Sequence, residues 1–208
     1  MKNKIHKYDF LIIGAGLIGS LAAIALHQKK FKVLAVNKKS KKYKDQRTLA
    51  VNAGSKDFLK KMGIWDKLKS KPMPIEKIII NDYVNPNKLI FENDKEPMGN
   101  VVFNSELLFQ AKKICQNNNI LVDNFTLDHT NLTSSSNINI NGKLYSFKKI
   151  ILCVGKDIKS NSVSNNQKNL TGSDQFSHVG FFNHSKSHMN VAYENFTNTG
   201  PLAVLPSP

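Results

Sequence analysis

An α/β fold built on a parallel sheet is what this sequence predicts, and three observations predict it. Phe10–Ile13 is a short apolar run ending at glycine, the pattern of a strand buried on both faces. Gly14, Gly16 and Gly19 follow at G-x-G-x-x-G spacing and open a run of small and apolar residues, Leu17 to Gln28, that reads as a helix. Val33–Val36 is a second buried strand.

Strand, glycine turn, helix and strand in that order are the context in which this motif signifies dinucleotide binding. Gly14 permits the tight turn, Gly16 lets backbone approach a pyrophosphate, and Gly19 lets helix and strand pack closely. Ala15 and Leu17 complete the turn, and the helix N-terminus offers free N–H groups and partial positive charge to phosphate. The end of the second strand is where an acid would accept hydrogen bonds from ribose. Asn37 stands there, followed by Lys38 and Lys39. An amide accepts through its carbonyl but carries no charge and also donates. Weaker binding and a phosphorylated ribose both remain open at this point.

The elements that follow are read in order. Ser55 is the expected N-cap of a helix over Lys56–Met62, ended by Gly63. Ile75–Asp82 and Lys88–Phe91 read as strands joined by an Asn85-Pro86-Asn87 turn, and Val101–Phe103 as a brief strand. Ser105 is the expected cap of a helix to about Gln116. Ile120–Val122 is a short strand. Ile138–Ile140 and Leu144–Phe147 flank Asn141-Gly142, a strong hairpin signal. Ile150–Val154 reads as a separate buried strand, Lys156–Asp174 as a polar loop, and Gln175–Asn183, His188–Phe196 and Leu202–Leu205 as strands.

The 208 residues suffice for one good core, or one domain and part of another. Net charge is +15, yet Arg47 is the single arginine. With asparagine and isoleucine also abundant, the lysine excess reads as compositional bias, and no nucleic-acid partner is expected. Attraction of lysines to an anionic membrane surface fits the charge. Lys2, Lys4 and Lys7 precede an apolar stretch, but Asp9 and three glycines interrupt the signal-peptide pattern. Cys115 and Cys153 are far apart and form no metal-binding spacing, which suits a reducing cytoplasm. His184 and His188 lie in a strand-and-turn region without H-E-x-x-H, so no metal is expected. No nucleophile motif is present, which suits chemistry carried by a cofactor.

Five stretches resemble the flavin-dependent aromatic hydroxylases, in particular the ubiquinone-biosynthesis branch that acts on 2-polyprenylphenol-type substrates. They are Asp9–Lys39; Arg47-Thr-Leu-Ala-Val51 running on to Asp66; Pro74-Ile-Glu-Lys-Ile78; Val101-Val-Phe-Asn104 with its helix; and Ala192–Phe196 with Thr199–Pro206. The resemblance implies a Rossmann-like FAD-binding domain interleaved with a partial β-rich substrate domain, as in para-hydroxybenzoate hydroxylase. The divisions expected are 1–74, 104–160 for the FAD-binding part, 75–103 and 175–208 for substrate-domain strands, and 161–174 for a polar loop. It places the FAD pyrophosphate at Gly14, Gly16 and Gly19, the ribose at Asn37 and Lys38, Arg47 near the flavin, Leu127 at adenine, and Asp157 in the remnant of an Asp-Gly motif. It implies hydroxylation of a polyprenylated aromatic ring, with the electron donor left open and NAD(P)H the candidate. Cytoplasmic placement with peripheral association at the inner membrane face, or membership of a ubiquinone-biosynthesis complex, would follow. The family's second flavin segment lies beyond Pro208, so the expectation is a truncated, N-terminal portion. A non-catalytic nucleotide-binding remnant and a basic surface-binding scaffold are the alternatives.

Overall fold

A computed structural model of the chain describes residues 5–37, 45–84, 87–123, 137–155 and 176–208. The chain divides into two units, one of residues 1–43 and 108–177 and the other of residues 44–107 and 178–208. The expected Asn85-Pro86-Asn87 turn and the Lys156–Asp174 loop fall outside the described residues in whole or in part.

The first unit holds β1 (Ile5–Ile13), α1 (Leu17–Gln28), β2 (Val33–Val36), β8 (Leu121–Val122), β9 (Ile138–Ile140) and β10 (Lys143–Leu152). Its sheet runs β8-β2-β1-β10-β9. β1 lies parallel to both β2 and β10, β2 parallel to β8, and β9 antiparallel at the edge. Side chains alternate along β1. Leu11 and Ile13 join Leu34, Val36 and Ile140 in one buried cluster, while Ile12, fully buried, points to the opposite face. Burial on both faces is why Leu11–Ile13 and the whole of β2 are apolar runs, whereas the first part of β1, which the sequence reading did not include, is exposed or half-buried and carries polar residues.

The second unit contains β3 (Thr48–Val51), α2 (Ala53–Lys61), β4 (Met73–Ile75), β5 (Lys77–Asp82), β6 (Leu89–Glu92), β7 (Gly99–Phe103), β11 (Val191–Thr197) and β12 (Gly200–Val204). They form two sheets, β3-β7-β4 and β12-β11-β5-β6. Ile75, Val101 and Ala192 form a buried cluster that draws on both sheets. The division between units falls within α3 (Asn104–Asn117).

Several expectations are corrected. The N-cap of α2 is Asn52, whose Oδ1 accepts from the Ser55 amide at 2.8 Å, so the helix starts earlier than Ser55 allows. Ile150–Val154 is no separate strand. Its residues Ile150–Leu152 are the end of β10, kept extended because β1 pairs with that strand from Ile5↔Leu144 to Ile13↔Leu152, and Cys153 and Val154 lie past the strand. Residues 176–183 form no strand, and Phe176 and Phe182 are exposed. β11 already has β5 and β12 as its two neighbours, which leaves no ladder for a further segment there. β11 begins at Val191 rather than His188, because Met189 and Asn190 have φ of 50° and 57°. β3 and β4 were not expected; both are short and gain their ladder bonds only from β7. The Asn141-Gly142 hairpin is present, with φ of 50° and 79° at its two central residues, the geometry of a type I′ turn.

The three α-helices among the described residues end alike. After α1, the Lys30 amide bonds to His27 O and the Phe31 amide to Leu26 O. After α2, Gly63 and Ile64 bond to Lys60 O and Leu59 O, and after α3, Asn119 and Ile120 bond to Gln116 O and Cys115 O. This is the paired Schellman arrangement, with a left-handed residue followed by an apolar one. Glycine and asparagine tolerate that backbone; lysine does so at a cost, and Lys30 has φ 69°. Lys30→Gly is expected to stabilise the chain by about 1 kcal/mol. Urea denaturation would show the midpoint rising, with an unchanged slope.

Candidate dinucleotide-binding site

The order of strands determines where a ligand can sit. From β1 the chain moves to β2 and β8 on one side, and β10 adds on the other. The sheet therefore has its switch point between β1 and β10, and the crevice lies beyond their carboxyl ends. The glycine turn leaves β1 at that place.

Gly14 is held by backbone on two sides. Its amide donates to Val36 O at 2.9 Å, and the Cys153 amide donates to Ile13 O at 2.7 Å. With φ 97°, a Cβ on Gly14 would lie 2.4 Å from Cys153 O and 2.9 Å from the Val154 nitrogen. A Cβ on Gly19 would lie 1.9 Å from Gly14 O. The first turn of α1 thus rests on the backbone of the glycine turn, and only glycine permits that approach. Ser20, fully buried, donates from Oγ to Ala15 O at 3.3 Å, and the Cys115 thiol donates to Ser20 O at 3.6 Å. Burial pushes the Cys115 thiol up to about 11 and raises that of Cys153. Neither is a ready nucleophile.

Gly16 differs from its partners. It is exposed, it is the N-cap of α1, and its φ of −69° suits any residue. A Cβ there would meet nothing within 4 Å. No internal contact of the protein requires glycine at this position, and the space beside it is open to the close approach of a ligand. The start of α1 has no side-chain cap and no acid in its first turn. Unpaired N–H groups and the helix dipole there favour an anion. These residues fit a dinucleotide pyrophosphate. The structure brings Gly14, Ala15, Gly16, Leu17 and Gly19 together in this one turn, and Gly14 also reaches the last residue of β2.

Asn37 follows β2 directly. Its amide donates to Val122 O at 3.0 Å, and its Nδ2 lies 3.4 Å from Oδ1 of Asp123. Asp123 follows β8 and also accepts from Gln116 Nε2 at 3.4 Å. Sequence reading did not single out Asp123. Its signal is its place at the end of the third parallel strand, one residue past Val122. Lys38, Leu127 and Asp157 lie outside the described residues.

Arg47 belongs to the second unit, immediately before β3. Asp45 grips its guanidinium through both carboxylate oxygens, each at 2.8 Å, and Asn104 Nδ2 also donates to that carboxylate. The Arg47 hydrogen bond holds the Asp45 carboxyl far below the usual carboxylate range, against the opposing effect of burial.

A parallel sheet with a glycine turn at its switch point defines a dinucleotide-binding protein of the Rossmann type. Residues 7–148 match the FAD-binding domain family, and the chain belongs to it. It is similar to the ubiquinone hydroxylase UbiL of Rhodospirillum rubrum, with 25% identity over 211 residues, covering 96% of this chain and 49% of that protein. The chain thus spans about half the length of that relative. Among solved structures, 2-methyl-3-hydroxypyridine-5-carboxylic acid oxygenase matches 99% of this chain and 56% of its own, at TM-score 0.65 and 13% identity. CtdE in complex with FAD and a substrate matches at TM-score 0.54 and 20% identity, covering 70% of this chain and 37% of its own. p-Nitrophenol 4-monooxygenase PnpA from Pseudomonas putida matches at TM-score 0.54 and 11% identity, covering 71% and 41%. These structural likenesses are likenesses of fold. Among the described residues, no helix is long and apolar enough to cross a membrane.

Two predictions follow from this geometry. Gly16→Val is expected to lower the unfolding free energy of the apo chain, read from urea denaturation, by no more than about 1 kcal/mol, the cost of replacing an N-cap glycine. The same change should weaken FAD binding by at least about tenfold. Gly14→Ala and Gly19→Ala should instead destabilise the fold itself, by about 2 kcal/mol or more. The second concerns Asp45. Its pair with Arg47 is fully formed above the ordinary carboxyl value of 3.8 and is lost only as pH falls well below it, because the folded-state value is depressed. A carbon-13 NMR titration should place the Asp45 midpoint below 3.8, and Arg47→Gln should move it upward.

Proposed function

We propose that this chain forms the FAD-binding portion of a flavin-dependent monooxygenase that hydroxylates the ring of a polyprenylated phenol or quinone precursor in ubiquinone biosynthesis. The observation that carries the reading is the glycine turn at the switch point of the parallel sheet, within the residues 7–148 that match the FAD-binding domain family. The substrate class rests on the similarity to the R. rubrum ubiquinone hydroxylase, which extends over 96% of this chain.

In this reading the turn Gly14–Gly19 holds the pyrophosphate through backbone N–H groups, without a side-chain charge of its own. Asn37 and Lys38 serve the ribose, Leu127 the adenine and Asp157 the remaining cofactor contacts. Arg47 presents its guanidinium toward the flavin, and the Asp45 fork sets the orientation of that group. The face of β11 and β12 carrying Tyr193 and Leu202, both exposed, contributes to the substrate side. Bound FAD, reduced by NAD(P)H, supplies the oxygen chemistry. The protein's own task is to bind, to orient and to exclude water, which explains why no nucleophile or acid–base pair stands out in the sequence. The lysine-rich surface serves peripheral attachment to the membrane that holds an isoprenoid substrate.

The test is the visible spectrum of the purified chain after incubation with FAD and desalting. The expected result is a retained flavin spectrum that bleaches on addition of NAD(P)H under anaerobic conditions. A colourless chain that also fails to bind FAD in a fluorescence titration would overturn the reading. Retained flavin with no hydroxylation of a polyprenylated phenol, after addition of a separately expressed partner covering the rest of the relative's length, would overturn the substrate assignment alone.

A further inference from the structure

The position that normally carries an acid for ribose is Asn37, a neutral amide. β2 and β8 are parallel and in register, Ala35↔Leu121 and Val36↔Val122. The residues that follow them, Asn37 and Asp123, therefore leave the sheet side by side. The Asn37 amide N–H bonds to Val122 O, which fastens the two strand ends together.

The chemistry of the pair follows from its hydrogen bonds. Asn37 Nδ2 donates to one oxygen of Asp123, and Gln116 Nε2 donates toward the other, each at 3.4 Å. An ionised carboxylate accepts at about four lone-pair sites, so about two remain. Asn37 directs one of its two amide N–H groups at Asp123 and has its carbonyl oxygen left to offer. The strand ends thus present acceptors from two side chains, one of them charged. Two adjacent hydroxyl donors satisfy such a pair. A phosphate, itself an anionic acceptor, does not.

We propose that Asp123 is the ribose-diol acceptor missing from the second strand, and that the Asn37–Asp123 pair selects an adenosine with free 2′ and 3′ hydroxyls over a 2′-phosphorylated one. Gln116 and Asn37 are positioning residues that hold the carboxylate. The assignment rests on the FAD reading above and adds to its ribose contact the charged acceptor that Asn37 does not supply. It also resolves the choice the sequence leaves open at Asn37.

The experiment is a set of fluorescence titrations of the full chain with FAD, and competition by ADP, 2′,3′-dideoxy-ADP and 2′-phospho-ADP. The variants are Asp123→Asn and the exchange Asn37→Asp with Asp123→Asn, each checked for fold by thermal melting without ligand. Asp123→Asn is expected to weaken FAD and ADP by about tenfold. It should leave dideoxy-ADP unchanged and narrow the preference for ADP over 2′-phospho-ADP. The exchange returns the carboxylate to the second strand and should restore ADP binding to within about threefold of wild type. Equal loss for ADP and dideoxy-ADP, or no loss at all, would overturn the assignment while leaving the FAD reading of the wild-type chain standing. Failure of the wild-type chain to bind either FAD or ADP would overturn the cofactor reading and this assignment with it.

Discussion

The contact on which the nucleotide-binding unit depends is one of backbone against backbone. Gly14, Gly19 and Cys153 come from β1, α1 and the end of β10, and no Cβ fits between them. That closeness sets the angle at which α1 leaves the sheet, and so aims the free N–H groups of its first turn. It also means that the turn is not complete when the first strand, helix and second strand have formed. Cys153 arrives more than a hundred residues later, and its amide and carbonyl form the other wall. The long excursion through β3 to β7 and α3 must therefore return in register. The parallel β1–β10 ladder, which keeps one register from Ile5↔Leu144 to Ile13↔Leu152, ensures that it does.

This division explains what the sequence made legible. β2 and α1 match their expected bounds, because burial on both faces and small-residue spacing are local signals. The type I′ hairpin at Asn141-Gly142 was legible for the same reason. What was missed depends on partners distant in sequence. Residues 176–183 have aromatic residues that suit a strand, but pairing decides, and both neighbours of β11 are taken. β3 and β4 are strands only because β7 lies between them. Asp123 shows the same limit at the site. Nothing in its local sequence marks it, and its meaning comes from β8 lying beside β2.

The ends of the helices show where local chemistry yields to packing. Gly63 and Asn119 suit the left-handed position they occupy. Lys30 does not, yet it adopts the same backbone. The following Phe31 meets Phe10 edge-on at 5.2 Å between ring centres. The Asp9 carboxylate also accepts from the Lys32 amide at 2.8 Å. These contacts carry the chain from the end of α1 back to β1, and the lysine backbone conforms to them.

A site made chiefly of backbone has a further consequence for a chain so rich in lysine. In the proposed function the phosphates are met by amide N–H groups and a helix dipole, neither of which changes when surface side chains change. The excess of positive charge therefore carries no information about a pyrophosphate contact, and a count of basic residues does not point to a dinucleotide. The ribose contact is different, because it needs a side-chain acceptor. There the chain places an amide on one strand and a carboxylate on the next, and Asn37 and Gln116 both donate toward that carboxylate. The residue identity at Asn37 departs from the common pattern while acceptor chemistry at the strand ends is kept. Reading the position alone would suggest a weakened site; reading the pair of parallel strand ends gives an acidic, diol-accepting one.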